Sequence, residues 1–229
     1  FGKKTIGIAY SLAIAETILA PVTPSNTARG GGIIHPIMRS IADSFNSKPE
    51  EGTSGKIGRY LSLVNYNINP ITSAMFITAT APNPLIVSLI IGETGPENEL
   101  TWSMWAIAAF VPAIVSLFLM PIVIYFLYKP EITHTPNAPH FAKERLAQLG
   151  PISLPEKITL GVFALLLIMW AGIPALLFGD AFSINATTAA FIGLSILLCT
   201  GVLNWDDILK NKGAWDTVVW FSALVMMAS

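Results

Sequence analysis

Residues 101–128 run for 28 positions without a charged side chain. A helix needs about 20 mostly apolar residues to cross the hydrocarbon of a bilayer. Lipid leaves a spanning backbone only two forms, the α-helix and the closed barrel. Further apolar runs occupy 5–22, 60–92, 158–178 and 183–203, and another begins near 215. A barrel would need segments of roughly ten residues in strict alternation, whereas these runs are long and continuous. The pattern predicts an all-α, polytopic helical membrane protein. Composition agrees: 12% of residues are charged, against about 25% in soluble domains. The net charge of −1 gives no basic field for nucleic acid. The single cysteine, Cys199, excludes a disulfide framework and reads as a small buried hydrophobe. The opening "FGKK" and the apolar last run suggest a piece of a longer protein.

Charge and aromatic placement give a topology. The polar segments 39–59, 129–157 and 205–213 hold ten Lys and Arg between them and are expected on one side, with Lys3, Lys4 and the acidic loop "GETGPENE" across the membrane. The positive-inside rule would make the long loops cytoplasmic. Trp102, Trp105, Tyr125, Tyr128, Trp205 and Trp215 sit at run ends and read as interfacial anchors, while Trp170 lies mid-run and is expected to pack.

Two polar interruptions carry the chemistry. In "ILAPVTPSNTARGGGII", residues 18–34, Pro21 and Pro24 cannot continue a helical ladder. Gly30, Gly31 and Gly32 permit positive φ or close backbone approach. Irregular backbone at membrane depth is tolerated where it is buried in protein or lines a watery cavity. A new helix start there, capped by Thr23 or Ser25, aims amides at an anion. Unwound carbonyls with Ser, Thr and Asn oxygens suit a small hard cation, and the combination is the discontinuous helix of transporters. The competing reading is a plain connection between two helices, one of them short. Arg29 has several candidate roles: attracting the anion, pairing with Glu16, holding a phosphate head group, or snorkelling to the interface. The second interruption is "TSAMFITATAPNPLI", where Pro82 and Pro84 break a run and Thr78, Thr80 and Asn83 offer oxygens, either as a second cavity wall or as a simple proline kink.

Other chemistry is quiet. There is no phosphate-binding glycine loop and no nucleophile elbow, and His35, His134 and His140 lack metal spacing, so no enzyme, no metal site and no cofactor is expected. A channel would need rings of carbonyls or charges. One asymmetric polar break fits a carrier better.

"ETILAPVTPSNTARGGGI" resembles the Ser-Asn-Thr region of the divalent anion:sodium symporter family, in its citrate/succinate and 2-oxoglutarate/malate antiporter branch. "SAMFITATAPNPL", "YFLYKPEITHTPNAPHFAKERLAQLGPIS" and "GLSILLCTGVLNWDDILKNKGAWDTVVWFSALVMMA" extend the resemblance over the whole chain. The resemblance implies inverted repeats, here partial, and a transport domain moving against a scaffold. Residues 1–94 would belong to the transport domain, with a broken helix at 5–38 and a second helix at 60–92. Residues 95–204 would be scaffold helices, and 205–229 an interfacial arm and the start of a second re-entrant hairpin. It implies substrate binding at Ser25, Asn26, Thr27 and, matching "SNTAR", Arg29. A Na⁺ coupling ion would take Ser25, Asn26, Ala79 and Thr80. The family's topology places Lys3 and Lys4 in the cytoplasm and the long loops outside. Function follows as an expectation: secondary active transport of di- or tricarboxylates (malate, succinate, 2-oxoglutarate, citrate) by alternating access. Transport would be antiport or Na⁺-coupled symport, in a bacterial inner membrane, with lipid and a second copy of the full-length chain as partners.

Overall fold

A computed structural model describes residues 2–228, so Phe1 and Ser229, the outer ends of the expected segments, lie outside the described residues. Two compact units divide at Pro151/Ile152. Among the described residues the regular elements are all helical, and β pairing is limited to one bridge, Lys4 with His134.

In the first unit, α1 (Thr5–Leu19) is apolar and short. Its 15 residues span roughly 22 Å at 1.5 Å per residue, less than a bilayer core. Pro21 and Pro24 stop it. The chain turns through 20–25 and helical backbone resumes at Asn26. It is π-helical over Ala28–Ile34 and then continues as α2 (His35–Ser44). The Ser25 hydroxyl accepts from Ala28 N at 3.2 Å and the Ser25 carbonyl from Arg29 N at 3.0 Å, which makes Ser25 the cap of this second helix.

The two legs run antiparallel. Glu16 meets Arg29 near the turn, and Ile8 and Ser11 line one cavity of about 700 Å³ with Ile37, Ser40 and Ile41 farther back. The expected broken helix at 5–38 therefore folds back on itself as a helical hairpin, with legs reaching Thr5 and Ser44, and the helix extends into the stretch expected as a polar loop. A broken span and a hairpin share one sequence signature, two apolar stretches around a proline break. Packing of the legs against each other distinguishes them.

α3 (Gly58–Met75) passes through Pro70 unbroken. The chain then extends at Phe76, makes one turn of 3₁₀ helix at Ile77–Ala79, extends again at Thr80, and enters α4 (Pro82–Thr94) with proline in its first turn. The second expected break thus lies at 76–81. α5 (Trp102–Leu127) is, among the described residues, the one unbroken helix long and apolar enough to cross a membrane. It lies antiparallel along α3. Tyr60 Oη donates to Pro121 O at 3.0 Å near one end, and Trp105 Nε1 donates to Ala74 O at 2.9 Å near the other. The expectation placed α5 with the scaffold, but its packing joins it to the unit that holds both breaks. Ile8, Leu12, Met38, Tyr60, Leu61, Val64, Ile68, Leu117 and Ile124 form the shared core. Outward, Ile107, Val111, Phe118 and Phe126 of α5 are exposed.

The hairpin corrects the topology. Thr5 N donates to Thr133 O, and Thr135 N to Lys3 O at 2.9 Å. Glu131 N donates to Gly55 O, and Ile132 N to Lys56 O at 3.0 Å. Lys3, Lys4, the 53–56 loop and the 131–135 segment therefore share one face of this unit. Both the charge count and the family topology had separated the two lysines from the long loops. A re-entrant segment consumes apolar sequence without changing sides, and a count that treats it as a span inverts everything before it.

In the second unit, α7 (Leu154–Trp170) opens with a capping box between Ser153 and Glu156. It ends at Trp170, where Gly172 takes φ 72° before the short α8 (Ile173–Phe178), α6 (Ala138–Leu149) having preceded it in the first unit. The run expected at 158–178 is thus two helices, and Trp170 sits at a helix end, donating Nε1–H to Ala186 O at 3.0 Å. α9 (Ala186–Cys199) returns against α7, with Leu166 packed on Gly193. Cys199 is exposed rather than buried, because its helix presents that face outward. α10 (Trp205–Lys210) and α11 (Lys212–Ala228) complete the unit.

Candidate binding site at the paired breaks

The hairpin turn lies against the second break. Thr78 Oγ1 donates to the Pro21 carbonyl, and Trp102 Nε1 donates to Thr78 Oγ1 at 3.1 Å. The turn, the 76–81 break and the start of α5 thereby form one cluster. Phe76 stacks on Trp102 with ring centroids 5.7 Å apart. Trp102, expected as an interfacial anchor, is thus also pinned to the break.

Arg29 joins the parts. Its side chain is 0% exposed and that of Glu16 is 1% exposed, with Arg29 Nε donating to Glu16 Oε1 at 3.2 Å. Arg29 Nη1 donates to Thr23 O at 2.9 Å and to Ala79 O at 3.1 Å, one carbonyl from each break. Arg29 Nη2 donates to Ser73 Oγ at 2.8 Å and Thr72 Oγ1 at 3.3 Å. A planar guanidinium with five donors in a fixed fork suits this role, and a lysine would not reach all of these acceptors. Of the four roles open to Arg29, the pair with Glu16 is formed in this structure. Snorkelling is excluded by the complete burial of the side chain.

Glu16 Oε1 also accepts from Asn69 Nδ2 at 2.6 Å and from Thr72 Oγ1 at 3.4 Å. Glu16 Oε2 is buried without a hydrogen-bond partner. Asn69 Nδ2 reaches a second acceptor, the main-chain oxygen of Asn26, at 2.9 Å. Asn83 Nδ2 donates to Ser73 O at 2.8 Å and Phe76 O at 3.0 Å, fixing the far side of the second break.

The expected ligands are disposed around the hairpin turn. Thr27 is exposed, and Ser25 and Asn26 are half-buried. Asn26 Oδ1 accepts from Thr27 N at 2.8 Å, leaving the Asn26 amide nitrogen as the donor end. The amides of Thr27 and Ala28 are thus held by short side-chain oxygens that an incoming carboxylate can replace, at the positive end of a helix. Ala79 is buried and Thr80 half-buried beside it. Ala79 O, assigned to a cation by the resemblance, accepts from Arg29. Of the three glycines, none takes positive φ. Only Gly30 has a close neighbour, because a Cβ there would stand 2.6 Å from Asn69 Nδ2, while Gly31 and Gly32 face open space.

Sequence reading did not single out Asn69, Thr72 and Ser73. Their signal is a helical one. Asn65, Asn69, Thr72 and Ser73 recur at i, i+4, i+7 and i+8 inside an apolar run, a polar stripe on one face of α3. Three cavities of this unit, of about 700, 460 and 300 Å³, are lined by other residues than those of the breaks.

Known proteins resemble this chain over its whole length. "Putative malate transporter YflS" of Bacillus subtilis (strain 168) is 52% identical over 229 residues, covering 100% of this chain and 46% of that protein. "Dicarboxylate transporter 1, chloroplastic" of Spinacia oleracea is 41% identical over 228 residues, 100% of this chain and 39% of its own. "Inner membrane protein YbhI" of Escherichia coli (strain K12) is 38% identical, covering 100% of this chain and 46% of its own. The chain thus spans less than half the length of these curated relatives. The "Sodium:sulfate symporter transmembrane region" family matches residues 1–229. An apolar helical chain whose two breaks meet at a Ser-Asn-Thr helix start, matched end to end by that family, is an integral membrane protein and belongs to the sodium:sulfate symporter transmembrane family.

Proposed function

We propose that the complete protein is a secondary active carrier of di- or tricarboxylates of the malate, succinate, 2-oxoglutarate and citrate class, acting by alternating access in a bacterial inner membrane, and not an enzyme. One observation carries the reading. The hairpin turn that carries Ser25, Asn26 and Thr27 is tied to the 76–81 break by hydrogen bonds at Pro21, Thr23 and Arg29. The names of the relatives, malate and dicarboxylate transporters, support the substrate class.

In this reading the substrate carboxylate takes the amides of Thr27 and Ala28, the Asn26 amide nitrogen and the Thr27 hydroxyl. All of these are neutral donors at a helix N-terminus, so the anion is attracted without a fixed countercharge that would hinder its release. Arg29 supports the wall from behind. A Na⁺ ion at Ser25, Asn26, Ala79 and Thr80 would have to share the Ala79 carbonyl with the guanidinium. That favours exchange of one carboxylate for another, with Na⁺-coupled symport as the second reading. Lipid on the exposed apolar faces and a second copy of the chain complete the proposed partners.

The test is counterflow of labelled succinate and malate into proteoliposomes of the complete protein, with and without Na⁺. A carrier saturates and is stimulated by substrate on the far side. Asn26→Ala is expected to abolish uptake while leaving insertion intact, and near-wild-type uptake by this variant removes the site.

A further inference from the structure

We infer that Asn69 of α3 is a positioning residue for the carboxylate site, setting the height of the Asn26 turn against the buried Glu16–Arg29 pair. The inference rests on the binding role proposed above for Asn26 and assigns a function to a residue outside the Ser-Asn-Thr motif. One amide nitrogen, Asn69 Nδ2, donates to Glu16 Oε1 at 2.6 Å on the first hairpin leg and to Asn26 O at 2.9 Å on the second. Among the described residues it is the one side-chain donor that bridges both legs from outside the hairpin; Arg29, which also bonds across the turn, belongs to the hairpin itself. Asn69 O in turn accepts from Ser73 Oγ at 2.7 Å and Thr72 Oγ1 at 3.0 Å, the same hydroxyls that receive Arg29 Nη2.

The backbone makes room for this contact. At Gly30 any Cβ would meet Asn69 Nδ2 at 2.6 Å and Asn69 Cγ at 3.0 Å, closer than side-chain atoms pack. Gly31 and Gly32, next in sequence, have nothing within 4 Å of the same position. Asn26 is the residue whose own side chain turns onto Thr27 N, so a shift of its main chain displaces every donor the carboxylate would use. Asn69 itself is only half-buried and touches no proposed ligand atom, so its effect is exerted through Asn26.

The experiment measures KM and turnover for labelled malate counterflow with the complete protein in proteoliposomes, for Asn69→Ala, Gly30→Ala, the double variant and Gly31→Ala. Asn69→Ala is expected to raise KM about tenfold with turnover within about twofold, as for loss of binding made equally in ground and transition states. Gly30→Ala is expected to raise KM similarly by pushing the amide aside. The double variant should match Asn69→Ala rather than multiply the two effects, because removing the amide also removes the clash. Gly31→Ala should leave both constants unchanged. An unchanged KM for Asn69→Ala in folded protein, a lower yield with unchanged KM, or multiplicative effects of the two substitutions would each overturn the inference. If Asn69→Ala does not reach the membrane, an unchanged KM for Gly30→Ala overturns it and a raised one, with Gly31→Ala unaffected, sustains it. Asn26→Ala separates the two readings: full uptake by that variant removes the binding site itself, whereas abolished uptake with a silent Asn69→Ala removes only the positioning role.

Discussion

The Glu16–Arg29 pair offers a quantitative test of what a buried charge does at the breaks. Glu16→Gln is the sparing perturbation. The amide oxygen can still accept from Asn69 and Arg29, and the amide nitrogen takes the place of Oε2, the oxygen with no partner. The hydrogen bonds to Oε1 are therefore kept, while the negative charge is lost and the new amide donor has no acceptor, leaving a guanidinium that is 0% exposed without its counter-ion. Removing one partner of a buried pair costs roughly 3–5 kcal/mol, and with the hydrogen bonds conserved the lower end, about 3 kcal/mol, applies. Arg29→Met is worse. It strands the carboxylate and strips the Thr23 and Ala79 carbonyls of a donor, so about 5 kcal/mol is expected. The double variant has no buried charge and loses mainly those two carbonyl contacts, about 2 kcal/mol at roughly 1 kcal/mol each. The assay is thermal unfolding of the purified complete protein followed by tryptophan fluorescence. At about 2–4 °C per kcal/mol for a cooperative unit of 150–250 residues, Glu16→Gln should lower Tm by roughly 10 °C, and the double variant by less than Arg29→Met alone. If Glu16→Gln melts with the wild type while abolishing uptake, or if the double variant loses as much as the two singles together, Arg29 is not a structural charge and belongs with the substrate donors.

Two further outcomes follow from the fold. In a cysteine-free background of the complete protein, cysteines at Lys3, Glu50 and His134 should react with an impermeant thiol reagent from the same side of the membrane, and reaction of the first from the opposite side to the other two refutes a re-entrant hairpin. At the start of α7, the Ser153 N–H and hydroxyl donate to Glu156 at 2.7 and 2.8 Å and hold its carboxyl below the ordinary 4.5. A depressed carboxyl pKa stabilises the folded state above the ordinary value and loses that contribution as pH falls through the lowered one. Amide exchange in the first turn of α7, corrected for intrinsic rates, should therefore quicken below pH 4.5 in the wild type but not in Glu156→Gln; identical profiles would rule out the capping box as the cause.

Much of this molecule was legible in its residues. Apolar runs of spanning length dictate helices because lipid offers the backbone no other partner; prolines 21 and 24 mark where one helix stops, and prolines 82 and 84 where another starts. The Ser25 cap follows from the same local chemistry, since a hydroxyl just before a helix start satisfies an amide that nothing else can reach. Local chemistry does not say where a chain goes after a break. Whether 5–44 crosses or returns, and hence which side Lys3 occupies, depends on contacts between residues 13 and 128 positions apart, Glu16 with Arg29 and Thr5 with Thr133. The role of Arg29 is of the same kind. A lone arginine in an apolar run has several physically sound partners. Only the packing of the hairpin on α3 brings Glu16, Thr72, Ser73 and two unwound carbonyls within reach at once, because a charge out of water is tolerated only where every donor finds an acceptor. The polar stripe on α3 was visible as a period, but what it faces was decided by tertiary structure alone.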